Sequence, residues 1–296
     1  MGLIRFDGRV AVVTGAGGGL GRSYAHELAA RGASVVVNDV GAAGDASLAE
    51  AVVAEIRGQG GVAVANRHSV TDPDGGRAIV ETALDAFGRV DVLVNNAGFL
   101  RDRSFSKLSD EDIDDVLDVH LRGAFRVTQP AFAAMKERGY GRIVFTTSSV
   151  ALFGNFGQAN YASAKLGLVG LARSLAVEGA RSGIKVNVVA PSAATGLTRG
   201  MFGEHEHRFR PEQVTPMTLF LASEACERTG EVYWAGGGRF AQVRFTQTAG
   251  WIGDGVGPEE VRDHLGEITD DADAFEPVDA MDELRRITGM LGVTLG

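Results

Sequence analysis

Tyr161 and Lys165 are residues whose types and spacing could do chemistry: they stand four apart in Asn160-Tyr161-Ala162-Ser163-Ala164-Lys165. They open an alanine- and leucine-rich stretch that reads as a helix as far as Gly179. At a spacing of i and i+4, two side chains share one helix face, a turn apart. A phenol titrates near 10 and is a poor base at neutral pH. An ammonium beside it favours the phenolate and brings the pKa toward the range where a general acid/base works best. Taken alone, such a pair is more often plain helix surface, so its meaning rests on the elements around it.

The chain has 296 residues, 45% of them hydrophobic, enough to bury a large core. Short Val/Ile-rich runs alternate with helix-like segments, which predicts an α/β fold with a parallel sheet. A formal net charge of -9 argues against a nucleic acid partner. Cys226 is the single cysteine, so no intramolecular disulfide is possible. No run is long enough for a membrane span, and Arg5, Asp7 and Arg9 make the N-terminus unlike a signal peptide. The chain ends Val293-Thr294-Leu295-Gly296 and not in a peroxisomal Ser-Lys-Leu. These features read as a soluble cytoplasmic protein, and no set of residues reads as a metal site.

The elements that must position the pair follow in order. Val10 to Thr14 is a short apolar run suited to a buried central strand. It runs into Gly15-Ala16-Gly17-Gly18-Gly19-Leu20-Gly21, and a helix-like stretch from Arg22 to Arg31 ends at Gly32. Strand, glycine turn and helix N-terminus together make a cradle for pyrophosphate: main chain comes close, and free N–H groups and the helix dipole favour negative charge. A second strand, Ser34 to Asp39, ends in an acid 18 positions beyond Gly21, where a ribose-binding carboxylate is expected. Asp39 there would accept from ribose hydroxyls and repel a 2′-phosphate, favouring NAD over NADP; its bland reading is the cap of the next turn.

Val62 to Asn66 is a third strand, followed by Ser69-Val70-Thr71-Asp72; Val90 to Val94 leads into Asn95-Asn96-Ala97-Gly98, a turn suited to main-chain contact with a ligand or to tying strands together. Ser109, with Asp112 three residues on, predicts the N-cap of a long helix through Lys136, with His120 inside it. Gly141 to Ser149 reads as a fifth strand ending in hydroxyls, Ile184 to Pro191 as a sixth and Gly230 to Gly236 as a seventh. On an extended strand Ser149 should face away from Ser148.

Thr14-Gly15-x-x-x-Gly19-x-Gly21, Asn95-Asn96-Ala97-Gly98, Ser148 and Tyr161-x-x-x-Lys165 together resemble the short-chain dehydrogenase/reductase family over residues 6 to about 238. The resemblance implies a Rossmann-type, doubly wound, seven-stranded parallel sheet with helices on both faces. It implies Tyr161 as acid/base, Lys165 as the residue that holds the nicotinamide ribose and lowers the tyrosine pKa, and Ser148, thirteen positions before Tyr161, as the bond to the substrate oxygen. It implies NAD contacts from Gly15, Gly19, Leu20, Gly21, Asp39, Ser69, Val70, Asn96, Ala97, Gly98, Tyr161, Lys165 and Pro191. His120 stands where the family usually has an asparagine whose main-chain carbonyl holds a relay water; it joins the catalytic candidates on that ground, and its imidazole needs no role.

Val119-His120-Leu121-Arg122-Gly123, Leu100-Arg101-Asp102-Arg103 and Gly154-Asn155-Phe156-Gly157-Gln158 are similar to one subgroup, the (3R)-hydroxyacyl-CoA dehydrogenase unit of the peroxisomal multifunctional enzyme of β-oxidation. Ser192 departs from the glycine usual after Ala190-Pro191. The expectation is NAD-dependent interconversion of a secondary alcohol and a ketone, as a homodimer or homotetramer. Rival readings are a 3-oxoacyl reductase, a steroid or polyol dehydrogenase, and a dinucleotide sensor without chemistry. Arg199, Arg208 and Arg210, where relatives carry a substrate lid, are candidates for CoA phosphates. Residues 1–240 are expected to form the catalytic domain and 241–296 an extension. In the latter, Thr246 to Gly257 and Thr269 to Asp273 read as loop. A helix from Pro277 carries Val278, Met281, Leu284, Ile287 and Leu291, to lie on the core or on a second subunit.

Overall fold

The computed structural model describes residues 2–41, 48–198 and 200–293, and the chain divides into two compact units, Met1–Gln242 and Val243–Gly296. The first unit begins with β1 (Val10–Thr14), α1 (Gly19–Ala30), β2 (Ser34–Asn38), α2 (Leu48–Gly58), β3 (Val62–Asn66), α3 (Gly75–Phe87) and β4 (Val92–Asn95). Then come α4 (Asp110–Leu117), a π turn (Asp118–Arg122), α5 (Gly123–Arg138), β5 (Gly141–Thr146), α6 (Ser149–Phe153), α7 (Ala159–Gly179), β6 (Ile184–Ser192), α8 (Thr215–Ala222), β7 (Val232–Gly236) and β8 (Arg239–Val243).

The strands form one sheet in the order β3-β2-β1-β4-β5-β6-β7-β8, and every neighbouring pair from β3 to β7 is parallel. All five residues of β1 and all six of β5 are buried, as parallel strands covered on both faces require. Helices α1, α2 and α8 pack together on one face, while α3, α4, α5 and α7 pack on the other. Strand order reverses between β1 and β4, so the loops after these two strands diverge and leave a crevice at the carboxyl edge.

Three details differ from the sequence expectation. The sheet has eight strands rather than seven: Gly237 and Gly238 both adopt positive φ, 55° and 79°, which makes a two-residue hairpin that returns β8 beside β7. The long helix after Ser109 is broken by the π turn that carries His120, although Ser109 caps it as predicted, in a reciprocal box with Asp112. Strand β5 stops at Thr146, and the chain turns at once into α6.

In the second unit α9 (Pro258–Asp263) and α10 (Leu265–Ile268) were not legible in the sequence, and neither was the bridge between Gln247 and Phe275. The terminal helix, α11 (Ala280–Met290), starts at the Asp279 cap, whose carboxylate accepts from the Asp282 amide. Pro277 therefore precedes the helix instead of occupying its first turn.

Candidate active site

The glycine turn is closer-packed than its sequence reveals. Helix α1 begins at Gly19, three residues before the predicted start, so the turn itself supplies the first helical amides, which have no partner inside the helix. Gly15 has φ of 62°, and a Cβ on Gly21 would lie 2.2 Å from the Gly15 carbonyl oxygen. Asn96 Nδ2 donates to the carbonyls of Thr14 and Gly15, at 3.1 and 3.0 Å. In return, Thr14 Oγ1 accepts from the amides of Asn96 and Ala97. The Asn-Ala-Gly turn after β4 thus clamps the glycine turn after β1. The Asp39 carboxylate takes the Gly17 amide on one oxygen and the Gly41 amide on the other, each at 2.8 Å. Each carboxylate oxygen keeps a further acceptor site. Val70 is buried, and the Ser69 hydroxyl is bonded within its own turn to Thr71 at 2.7 Å.

Ser148, Tyr161 and Lys165 line one cavity of about 200 Å³ together with Leu20, Asn96, Gly98, His120 and Pro191. Ser148 is the N-cap of α6, where its Oγ accepts from the Val150 amide at 3.2 Å. Ser149 is the first residue of that helix, not a strand residue, and it accepts from Trp234 Nε1 at 3.0 Å. The two serines do part ways, but through a helix start. Lys165 is 3% exposed, and its ammonium donates to the Thr146 carbonyl at 2.7 Å. Burial drives its pKa down to about 7.

The sequence argument has the ammonium lowering the phenol pKa. In the folded chain the phenol is instead pushed up by burial, drawn down by its bond to Ser148 and pushed up again by Asp102. Lys165 Nζ is 5.8 Å from the Tyr161 ring centroid, and its own charge is what the dry site suppresses. Desolvation outweighs a single helix-turn attraction here.

The His120 ring is buried at 3% exposure and stands edge-on to Tyr161, with centroids 5.2 Å apart at 90°. Its Nε2 lies 2.7 Å from the Phe99 carbonyl oxygen and 3.1 Å from the Phe99 amide. Burial, reinforced by Lys165, brings its pKa down to about 3, so the ring is neutral. Gly98 makes room for it: a Cβ there would fall 2.2 Å from Cε1. A π turn of this kind often marks a functional site.

Several supports escaped the sequence reading. Asn160 Nδ2 donates to the carbonyls of Asp112 and Arg101 while its Oδ1 accepts from the Tyr161 amide, fixing the entry of α7. Thr147 Oγ1 donates to the Lys165 carbonyl at 2.7 Å. Gln158 holds Asp102 at 3.0 Å. Asn160 stands next to Tyr161, which is the signal that could have found its role. Arg208 and Arg210 are exposed, and Arg199 lies outside the described residues. A larger cavity of about 530 Å³ lies against the outer side of α1 and α8. Its Arg22 and His26 are paired with Glu55, and its Arg31 with Glu27, so it holds no convergent reactive set.

A doubly wound sheet with a glycine cradle at its switch point, and a Ser-Tyr-Lys set on the adjoining wall, defines the class of dinucleotide-dependent oxidoreductases. A short chain dehydrogenase family model matches residues 9–204, and the chain belongs to that family. Peroxisomal multifunctional enzyme type 2 of Mus musculus is 49% identical over 286 residues, covering 93% of this chain and 38% of that protein. The structure of the full-length enzyme of that name from Drosophila melanogaster superposes with a TM-score of 0.82 at 40% identity, covering 97% of this chain and 50% of that one. A short chain dehydrogenase from Mycobacterium avium superposes with a TM-score of 0.80 at 40% identity, covering 90% of this chain and 97% of that one. This chain thus spans half or less of those multifunctional relatives.

Membership makes it an oxidoreductase of CH–OH groups with a nicotinamide dinucleotide, and the residues present fit that group: bare glycines, free first-turn amides and a carboxylate with spare acceptor sites. No helix among the described residues is long and apolar enough to cross a membrane.

Proposed function

We propose that this chain is an NAD-dependent dehydrogenase interconverting a (3R)-hydroxyacyl-CoA and the 3-oxoacyl-CoA. The observation that carries the reading is the convergence of Ser148, Tyr161 and Lys165 on one cavity that also reaches the glycine turn. A bound nicotinamide supplies the hydride acceptor in one direction and the donor in the other. Tyr161 exchanges a proton with the substrate oxygen, and Ser148 bonds that same oxygen. The raised phenol pKa suits Tyr161 to giving a proton to a forming alkoxide. In the oxidising direction the phenol must first lose its proton, and the Ser148 bond favours that. Lys165, close to half-charged at neutral pH, adds or withholds positive charge beside the phenol.

The carboxylate of Asp39 supports NAD over NADP, because it repels a 2′-phosphate while its free lone pairs suit ribose hydroxyls. Leu100, Val150, Leu197, Met201 and Phe202 give the cavity an apolar wall fit for an acyl chain. A cytoplasmic homodimer or homotetramer is part of the same reading; cell fractionation tests the location directly, since the multifunctional relatives are named peroxisomal.

The decisive assay follows NADH on a panel of (3R)- and (3S)-3-hydroxyacyl-CoA, carrier-protein thioesters, steroids and polyols. Turnover confined to the (3R)-acyl-CoA is expected. Preference for another alcohol would replace the substrate, and NADH binding with no turnover on any of them would leave a sensor. Tyr161→Phe should lose turnover by about 10³-fold while keeping NADH affinity; an active variant would remove Tyr161 from the reaction.

A further inference from the structure

The imidazole of His120 is a buried group that the proton chemistry above leaves unused. Of its two contacts with Phe99, the shorter, at 2.7 Å to the carbonyl oxygen, assigns the proton to Nε2. Nδ1 is then an acceptor, and it has no hydrogen-bond partner among the described residues. His120 also lines a cavity of about 10 Å³ together with Thr14, Asn95 and Lys165. That is the space of one water. The Lys165 ammonium has three donors, and the Thr146 carbonyl takes one of them.

We propose that His120 is a positioning residue for Lys165: its Nδ1 accepts from a single water in this cavity, and that water accepts from Lys165 Nζ. The proposal rests on Lys165 having the place in proton exchange given above. Two features outside the lone pair favour it. The π turn and Gly98 together bring a ring, not merely a main-chain carbonyl, to this depth. The Nε2 bond to Phe99 locks the ring so that Nδ1 cannot turn away. A bond to the charged form favours that form, so the water and the imidazole keep Lys165 an ammonium where a dry site would strip its proton. The titratable side chains facing this group are Tyr161 from α7 and, acting on Tyr161, Asp102 from the loop after β4.

Two variants separate the ring's two nitrogens. His120→Gln keeps an amide where Nε2 sits and can hold Phe99, but offers nothing at Nδ1. His120→Asn places an amide oxygen at Nδ1 and gives up Phe99. Lys165 is followed in the free protein by NMR titration of its side chain, and turnover is measured alongside. We expect the Gln variant to melt near the parent and bind NADH normally. Its Lys165 midpoint should move down by about 1, and kcat should fall about tenfold with KM unchanged. The Asn variant should keep the parent's midpoint and kcat even if it melts earlier. A Gln variant with the parent's titration and kcat would overturn the proposal, as would an Asn variant whose midpoint drops like that of Gln. Should the Asn variant not fold, the Gln variant decides alone. Tyr161→Phe run in parallel tells the two failures apart, because the titration reports on His120 whether or not the tyrosine proves essential.

Discussion

The loop after β1 and the first turns of α7 face the same crevice, yet they are made of different material. At the glycine turn, main-chain amides, bare Cα atoms and the Asn96 clamp do the work, and the groups that hold it are neutral except Asp39. At α7 and the π turn packed against it, side chains do it: an ammonium 3% exposed, a phenol with a raised pKa and a neutral imidazole with a bare lone pair. The first surface is tight because nothing larger than hydrogen fits. The second is dry and holds groups that would be more stable in water. Stability and reactivity should therefore respond in opposite directions to substitution in the two places.

The largest effect expected is at Lys165. Its pKa falls from 10.5 to about 7 on folding, a drop corresponding to on the order of 5 kcal/mol. Between those values the unfolded chain binds more protons than the folded one, so stability rises with pH across this window. Below about 7 the folded state bears the whole cost of the buried charge. Lys165→Met should thus abolish turnover yet raise stability by up to about 5 kcal/mol at pH 6, and this gain should shrink toward zero near pH 10.5. Urea unfolding at a series of pH values reads it, and a variant less stable at every pH would show that the ammonium is well solvated where it lies.

Gly21→Ala should act the other way. A Cβ 2.2 Å from the Gly15 carbonyl forces the turn open, at roughly 1–3 kcal/mol of stability, and NADH affinity should fall with it. Thermal melts with and without NADH check both. Asp39→Ala should leave the α7 chemistry alone and move preference toward NADP by about tenfold, near 1.4 kcal/mol, read as the ratio of kcat/KM for the two cofactors. Smallest of all, Ser109→Ala removes one half of the capping box of α4 and should cost about 1 kcal/mol, without altering the phenol or the cofactor ratio. If it slows turnover by more than its loss of stability explains, the cap of α4 is coupled to Asn160 and Tyr161 through the Asp112 carbonyl.

Much of this was legible in the chain. Strand runs such as Val10 to Thr14 are short and apolar, the glycines are spaced for one turn, and Tyr161 and Lys165 stand one helix turn apart. Hidden from that reading were the partners of Asn160, the π turn around His120 and the eighth strand, each of which depends on contacts between segments distant in sequence.

Order of residues along the chain was enough to give the alternation of strand and helix and the glycine turn, because periodicity and local spacing carry that information, while Ser148, Tyr161 and Lys165 were singled out by resemblance to a family. Which groups lie in water was decided by packing alone. Whether Lys165 is charged, whether its neighbour is an acid or a base at rest, and whether His120 offers a lone pair all depend on desolvation, a property of the assembled interior that no stretch of residues possesses by itself.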